Sequence, residues 1–141
     1  MTIRGTFGLG PVIMSRQMTG PQAWALIEPV RCALQRLLDG VGDGNDLGGV
    51  GLAVNLAWLR CKKIGNSKAA MGVLEQGSAA LLRFEDAAGP EGGPLLEPER
   101  NAVLIAVDLY ETILRKSSLR QWAEAEVDML SVWKGMKKER A

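Results

Sequence analysis

With no histidine among its 141 residues, this chain leaves its sixteen aspartates and glutamates as the candidates for general acid–base chemistry, beside two thiols, Cys32 and Cys61. Histidine changes charge between about pH 5 and 8 and is the commonest metal ligand and general base. Its absence excludes Ser-His-Asp, Cys-His and histidine-ligated zinc or haem chemistry together. Among the carboxylates, Glu85, Asp86, Glu97, Glu99, Asp108, Glu111, Glu124 and Asp128 are spread over expected solvent faces, and no local spacing makes two of them converge on a cleft. Asp39, Asp43, Asn45 and Asp46 offer oxygens to a hard cation. If Asp43 opened a calcium loop, however, Val54 would stand where a bidentate glutamate is needed, so these residues read as turn chemistry. The glycine-rich stretches lack the Gly-x-x-x-x-Gly-Lys-Ser/Thr pattern that cradles phosphate. No catalytic residue, metal ligand or cofactor is therefore expected.

What remains is binding. Glu126 falls within the apolar arc of the last helical segment, one turn from Trp122, Met129 and Leu130. A carboxylate there must be met by an arginine or lie at an interface edge. Trp122 and Trp133 read as core or, together with Met129 and Met136, as an adaptable surface, since tryptophan is enriched at binding hot spots and methionine repacks easily. Trp122, Glu126, Met129, Trp133 and Met136 are accordingly the candidate partner-binding residues, and the partner is another protein or a second copy. The alternative is a nucleic-acid regulator using Arg60, Lys62, Lys63 and Lys68 around the second turn with Arg115, Lys116 and Arg120 around the fourth. With 17 basic against 16 acidic side chains, net charge +1, only a local patch would attract phosphate. That alternative is not favoured.

Five helical segments should position these residues. Thr19 and Gln22 have capping-box spacing and open the first, whose stripe is Ala23, Leu26, Ile27, Val30, Ala33, Leu34 and Leu37. Pro29 should kink it or force a restart. Asp46 is the expected cap of a second helix ending near Lys63. Leu47, Val50, Val54, Ala57, Trp58 and Cys61 make one of its stripes and Leu52, Leu56 and Leu59 another, so it is expected at the centre, with Trp58 in the core. Gly48, Gly49 and Gly51 suggest a close neighbour. Gly65 ends this helix in the left-handed region, and Asn66 or Ser67 opens a third, which runs to about Ala87. A Gly/Pro loop, 89–94, precedes a fourth helix with Pro98 at its first position. Its inward stripe is taken as Ala102, Ile105, Ala106, Leu109 and Ile113. Continuing that stripe would bury Lys116, Ser117 and Arg120, so a break is expected, with Ser118 and Gln121 capping a fifth helix from Leu119.

The whole reads as an all-α bundle of four to five amphipathic helices over 19–138. Residues 1–18 form a flexible or short extended segment, with 11–14 the extended piece. Phe7 to Met14 is broken by Pro11 and lacks a small-residue cleavage site, so it is not a signal peptide. The longest apolar stretch, 50–59, falls short of the roughly 20 residues a membrane span needs. A cytoplasmic location is expected, with both cysteines as small buried thiols. The Pro29-interrupted first helix, then Arg100-Asn101-Ala102-Val103, Leu109-Tyr110-Glu111 and a further amphipathic helix, resemble small all-helical proteins of proteobacterial plasmids and prophages, from Thr19 to Trp133. The resemblance implies a mobile-element setting in which such proteins bind host or phage machinery, and it brings no site residues with it.

Overall fold

The computed structural model describes residues 16–65, 67–88 and 93–140, apart from the side chains of 88 and 136–140. Five helices follow one another: α1 Gly20–Leu38, α2 Gly44–Ile64, α3 Lys68–Ala88, α4 Glu99–Lys116 and α5 Leu119–Arg140. The fold is all-α. Among the described residues the only strand-like feature is a single antiparallel bridge between Gln17 and Ser118.

Local hydrogen bonding sets most of the boundaries. At the start of α1, Gln22 N–H donates to Thr19 Oγ1 (3.2 Å) and Thr19 N–H donates to Gln22 Oε1 (3.0 Å), which satisfies two donors that the helix leaves without internal partners. The helix continues through Pro29 as one element instead of restarting. At α5 the reciprocal pair is Gln121 N–H to Ser118 Oγ (3.1 Å) and Ser118 N–H to Gln121 Oε1 (2.9 Å), so the chain turns where the α4 stripe would otherwise have carried polar residues inward. α2 begins earlier than its sequence suggests. Asp43 is the cap and Asp46 the third helical residue, each carboxylate accepting the other's N–H at 3.0 Å. Gly65 closes α2 at φ +75°, where a side chain would be strained, although its ψ of 169° is extended and not left-handed helical. Pro98 is the residue before α4 and not its first.

α2 touches all four other helices, as expected for a segment apolar on two sides. Val50, Ala53, Val54, Leu56, Ala57 and Cys61 are its buried face, opposed by Ile27 and Leu34 of α1, Leu74 and Leu81 of α3 and Val103 and Val107 of α4. On α4 the inward face is rotated from the expected stripe: Val103, Ala106, Val107, Tyr110 and Leu114 are buried, whereas Ile105 is exposed. Close approach occurs at Gly77, where the small residues Gly77 and Ala80 of α3 also suggest tight packing, and not at Gly48 and Gly49 of α2. A Cβ at Gly77 would collide with that of Ala106, while Gly48 and Gly49 have open space beside them.

Arg31 of α1 clamps α4 through Asp108 (2.8 Å) and Glu111. Burial works against its charge, but these two carboxylates outweigh it and hold the guanidinium above its ordinary pKa. Arg36 meets the buried Asp46 at 2.6 Å, and that hydrogen bond, helped by the Asp43 N–H, holds the Asp46 carboxyl below the usual range. Met18 is buried and its N–H donates to Ser117 O (2.9 Å), so the packed domain starts before Thr19. The rest of the expected N-terminal segment, 1–15, and 89–92 of the loop lie outside the described residues.

Candidate protein-binding groove

α5 has 22 residues, roughly 33 Å at helical rise, and rests mainly on α2. Trp122 and Ala125 are buried in its first half, where the Trp122 ring tilts against Tyr110 at 5.8 Å. Burial pushes the Tyr110 phenol up to about 12, with Glu111 adding to the shift, and its O–H donates to Leu26 O at 3.3 Å. Beyond that contact the helix loses cover. Val127, Leu130, Val132 and Trp133 are each at least half exposed.

Between this half of α5, the first half of α2 and the second half of α3 lies a groove of about 650 Å³. Leu52, Leu82, Leu130 and Trp133 wall it and are 49%, 61%, 57% and 61% exposed, which makes it an open trough and not a closed cavity. Leu81 and Met129 form its floor. Asn55, Ser78 and Glu85 are its polar fittings, with Ser78 O–H donating to Asn55 Oδ1 at 3.4 Å. A smaller hollow of about 310 Å³ continues it past Leu82 toward Trp58 and Leu74. Glu85 is the one carboxylate among the residues lining the larger groove, and Glu75, which lines the smaller hollow, accepts the Trp58 indole N–H. Among the described residues no cluster of three or more acidic or cysteine side chains is arranged to hold a metal ion.

Of the residues singled out from the sequence, Met129 and Trp133 line the groove. Trp122 does not: it is 4% exposed, so it is core and unavailable to a partner. Glu126 is exposed, and among the described residues no arginine pairs with it, contrary to the expected structural pairing. Met136 lies on α5, but its side chain is outside the described residues. Sequence reasoning missed Leu52, Leu82 and Leu130 as groove walls. Their signal was an apolar residue out of phase with its own helix's buried stripe, as Leu82 is beside Leu81.

Several of the basic residues are engaged within the chain, and Arg60 lies beside the turn that carries Arg115, Lys116 and Arg120. Lys63 reaches Asp128 (3.4 Å) and Glu124 (3.8 Å), Lys62 sits 5.6 Å from the centre of the Trp58 ring, and Arg60 donates to Ser117 Oγ at 3.3 Å. Arg120 is engaged as well, while Lys68, Arg115 and Lys116 are exposed at helix ends. Trp58 is only half-buried, its indole N–H donating to Glu75 Oε1 at 2.9 Å, a departure from its expected place in the core. The cysteines are unpaired. Cys61 is buried, which raises its thiol pKa, whereas Cys32 is exposed and not the small core residue expected.

No family model, no curated protein and no solved structure matches this chain. None of the described helices is long and apolar enough to cross a membrane.

Proposed function

We propose that the chain is a non-enzymatic protein-binding module that seats an apolar helical surface of another protein in the α2–α3–α5 groove. The observation that carries this reading is the convergence of four large, half-exposed side chains, Leu52, Leu82, Leu130 and Trp133, on one trough. Contiguous exposed apolar surface costs a monomer solubility and marks interaction sites. A groove of this shape suits an amphipathic helix, whose anchors recur every three or four residues. In the mobile-element setting that the sequence resemblance implies, such a module works in the cytoplasm by occluding or adapting a host or phage protein complex.

Placing a photo-reactive amino acid at position 82 tests the reading, with position 24 as control because Trp24 is exposed on α1 away from the groove. Irradiation in a proteobacterial host is expected to give covalent protein adducts from position 82 and none from position 24. Adducts from neither position, or equal adducts from both, contradict it.

A further inference from the structure

Glu126, which no arginine meets among the described residues, stands on the same side of α5 as Val127, Leu130, Trp133 and Lys134. At 100° per residue these five fall within an arc of roughly 120°. All five are exposed. Their order along the helix is acid, apolar, apolar, apolar, base. Such an order is self-complementary when reversed: with a second helix antiparallel to the first and the two-fold axis at Leu130, Glu126 faces Lys134 of the other copy, Val127 faces Trp133, and Leu130 meets itself.

We infer that the first occupant of this face is a second copy of the chain, held by an isologous antiparallel pairing of the two α5 helices centred on Leu130. The inference rests on reading the α2–α3–α5 face as a protein-binding surface, and it names the partner. Charge complementarity argues for a second copy over a foreign helix. The ion pair, Glu126 with Lys134 of the other copy, arises from residues of this chain alone and forms twice across the two-fold axis. Among the described residues no ion pair within the chain engages Glu126 or Lys134. Being eight positions apart, about 12 Å along one helix, they are too distant to serve each other. The pairing also covers two of the groove's four walls, Leu130 and Trp133, and leaves Leu52 and Leu82 at the rim of the joint surface.

The pattern allows a test by charge exchange. In Glu126→Lys alone, both cross-contacts become lysine on lysine; in Lys134→Glu alone, both become glutamate on glutamate. In a one-to-one mixture of the two variants, a heterodimer regains two opposite-charge contacts. Both residues are exposed, so helix content by circular dichroism should stay unchanged in each variant.

Sedimentation velocity on the full chain is expected to give twice the 15.2 kDa chain mass for the native protein. Each single variant should shift at least tenfold toward 15.2 kDa in dissociation constant, and the mixture should return to the dimer. Three results overturn the inference: a native chain that stays at 15.2 kDa, a dimer indifferent to either reversal, or a mixture that does not recover. Should the chain stay monomeric while position 82 still captures a different protein, self-pairing alone is overturned. Should both experiments fail, the groove reading falls with it.

Discussion

Two single residues report on the packing directly. Gly77 of α3 packs directly against α4, and the atom a new Cβ would strike, Ala106 Cβ, is attached to backbone and has no rotamer by which to move. Gly77→Ala should therefore destabilise the fold by about 1–3 kcal/mol despite alanine's better helix propensity. Gly72→Ala, in the same helix with open space around it, should stabilise by about 0.5–1 kcal/mol. Urea midpoints of the two variants check the pair. Tyr110 is the only tyrosine in the chain, so phenolate absorbance reads it alone. Its folded pKa lies near 12 against an ordinary 10.0, raised first by burial. A raised acid pKa gives stability that is complete below the unfolded value and lost as pH climbs through the folded one. Stability should accordingly fall by on the order of 2 kcal/mol between about pH 10 and 12, with no phenolate in the folded chain at pH 10.5. Ionisation centred near pH 10 in folded protein contradicts the burial of that ring.

Among the elements, the boundaries were legible wherever side chains competed for backbone N–H groups. Thr19 with Gln22 and Ser118 with Gln121 mark helix starts that the structure reproduces to the residue. The second of these also breaks what would otherwise be one long helix with Lys116 and Arg120 pointing inward. Removing it by Ser118→Ala should cost about 0.5–2 kcal/mol, and thermal unfolding of the variant measures that. At α2 both Asp43 and Asp46 have cap chemistry, and their Asp-x-x-Asp spacing forms a capping box with Asp43 as the cap and Asp46 held in addition by Arg36. On α4 the error was one of phase. Ile105 and its flanking valines 103 and 107 form overlapping apolar stripes, and periodicity alone does not say which stripe meets α2 and α3. Likewise, the spacing of Trp58 with Val54 and Cys61 points to the core, yet its indole N–H needs an acceptor, and Glu75 at the surface supplies one.

On the scale of the whole molecule, α5 extends past the bundle that its first half helps to close. Its α2-facing side carries Trp122, Ala125 and Met129, whereas Val127, Leu130, Val132 and Trp133 are at least half exposed among the described residues. This is why the candidate site was only partly readable. Met129 and Trp133 followed from composition, but the groove exists because Leu52 of α2 and Leu82 of α3 arrive beside them, a juxtaposition of residues 30 or more positions apart that local pattern does not encode. The central claim is that this face is covered by protein when the chain is at work. Hydroxyl-radical footprinting in concentrated solution and in host extract tests it most directly, with Ile105, 57% exposed on α4 and outside the groove, as the internal standard. Leu130 is predicted to lose reactivity severalfold relative to Ile105 as concentration rises, and Leu52 and Leu82 to lose it when extract is added. If all four oxidise in constant proportion under every condition, the face is bare and the account is wrong.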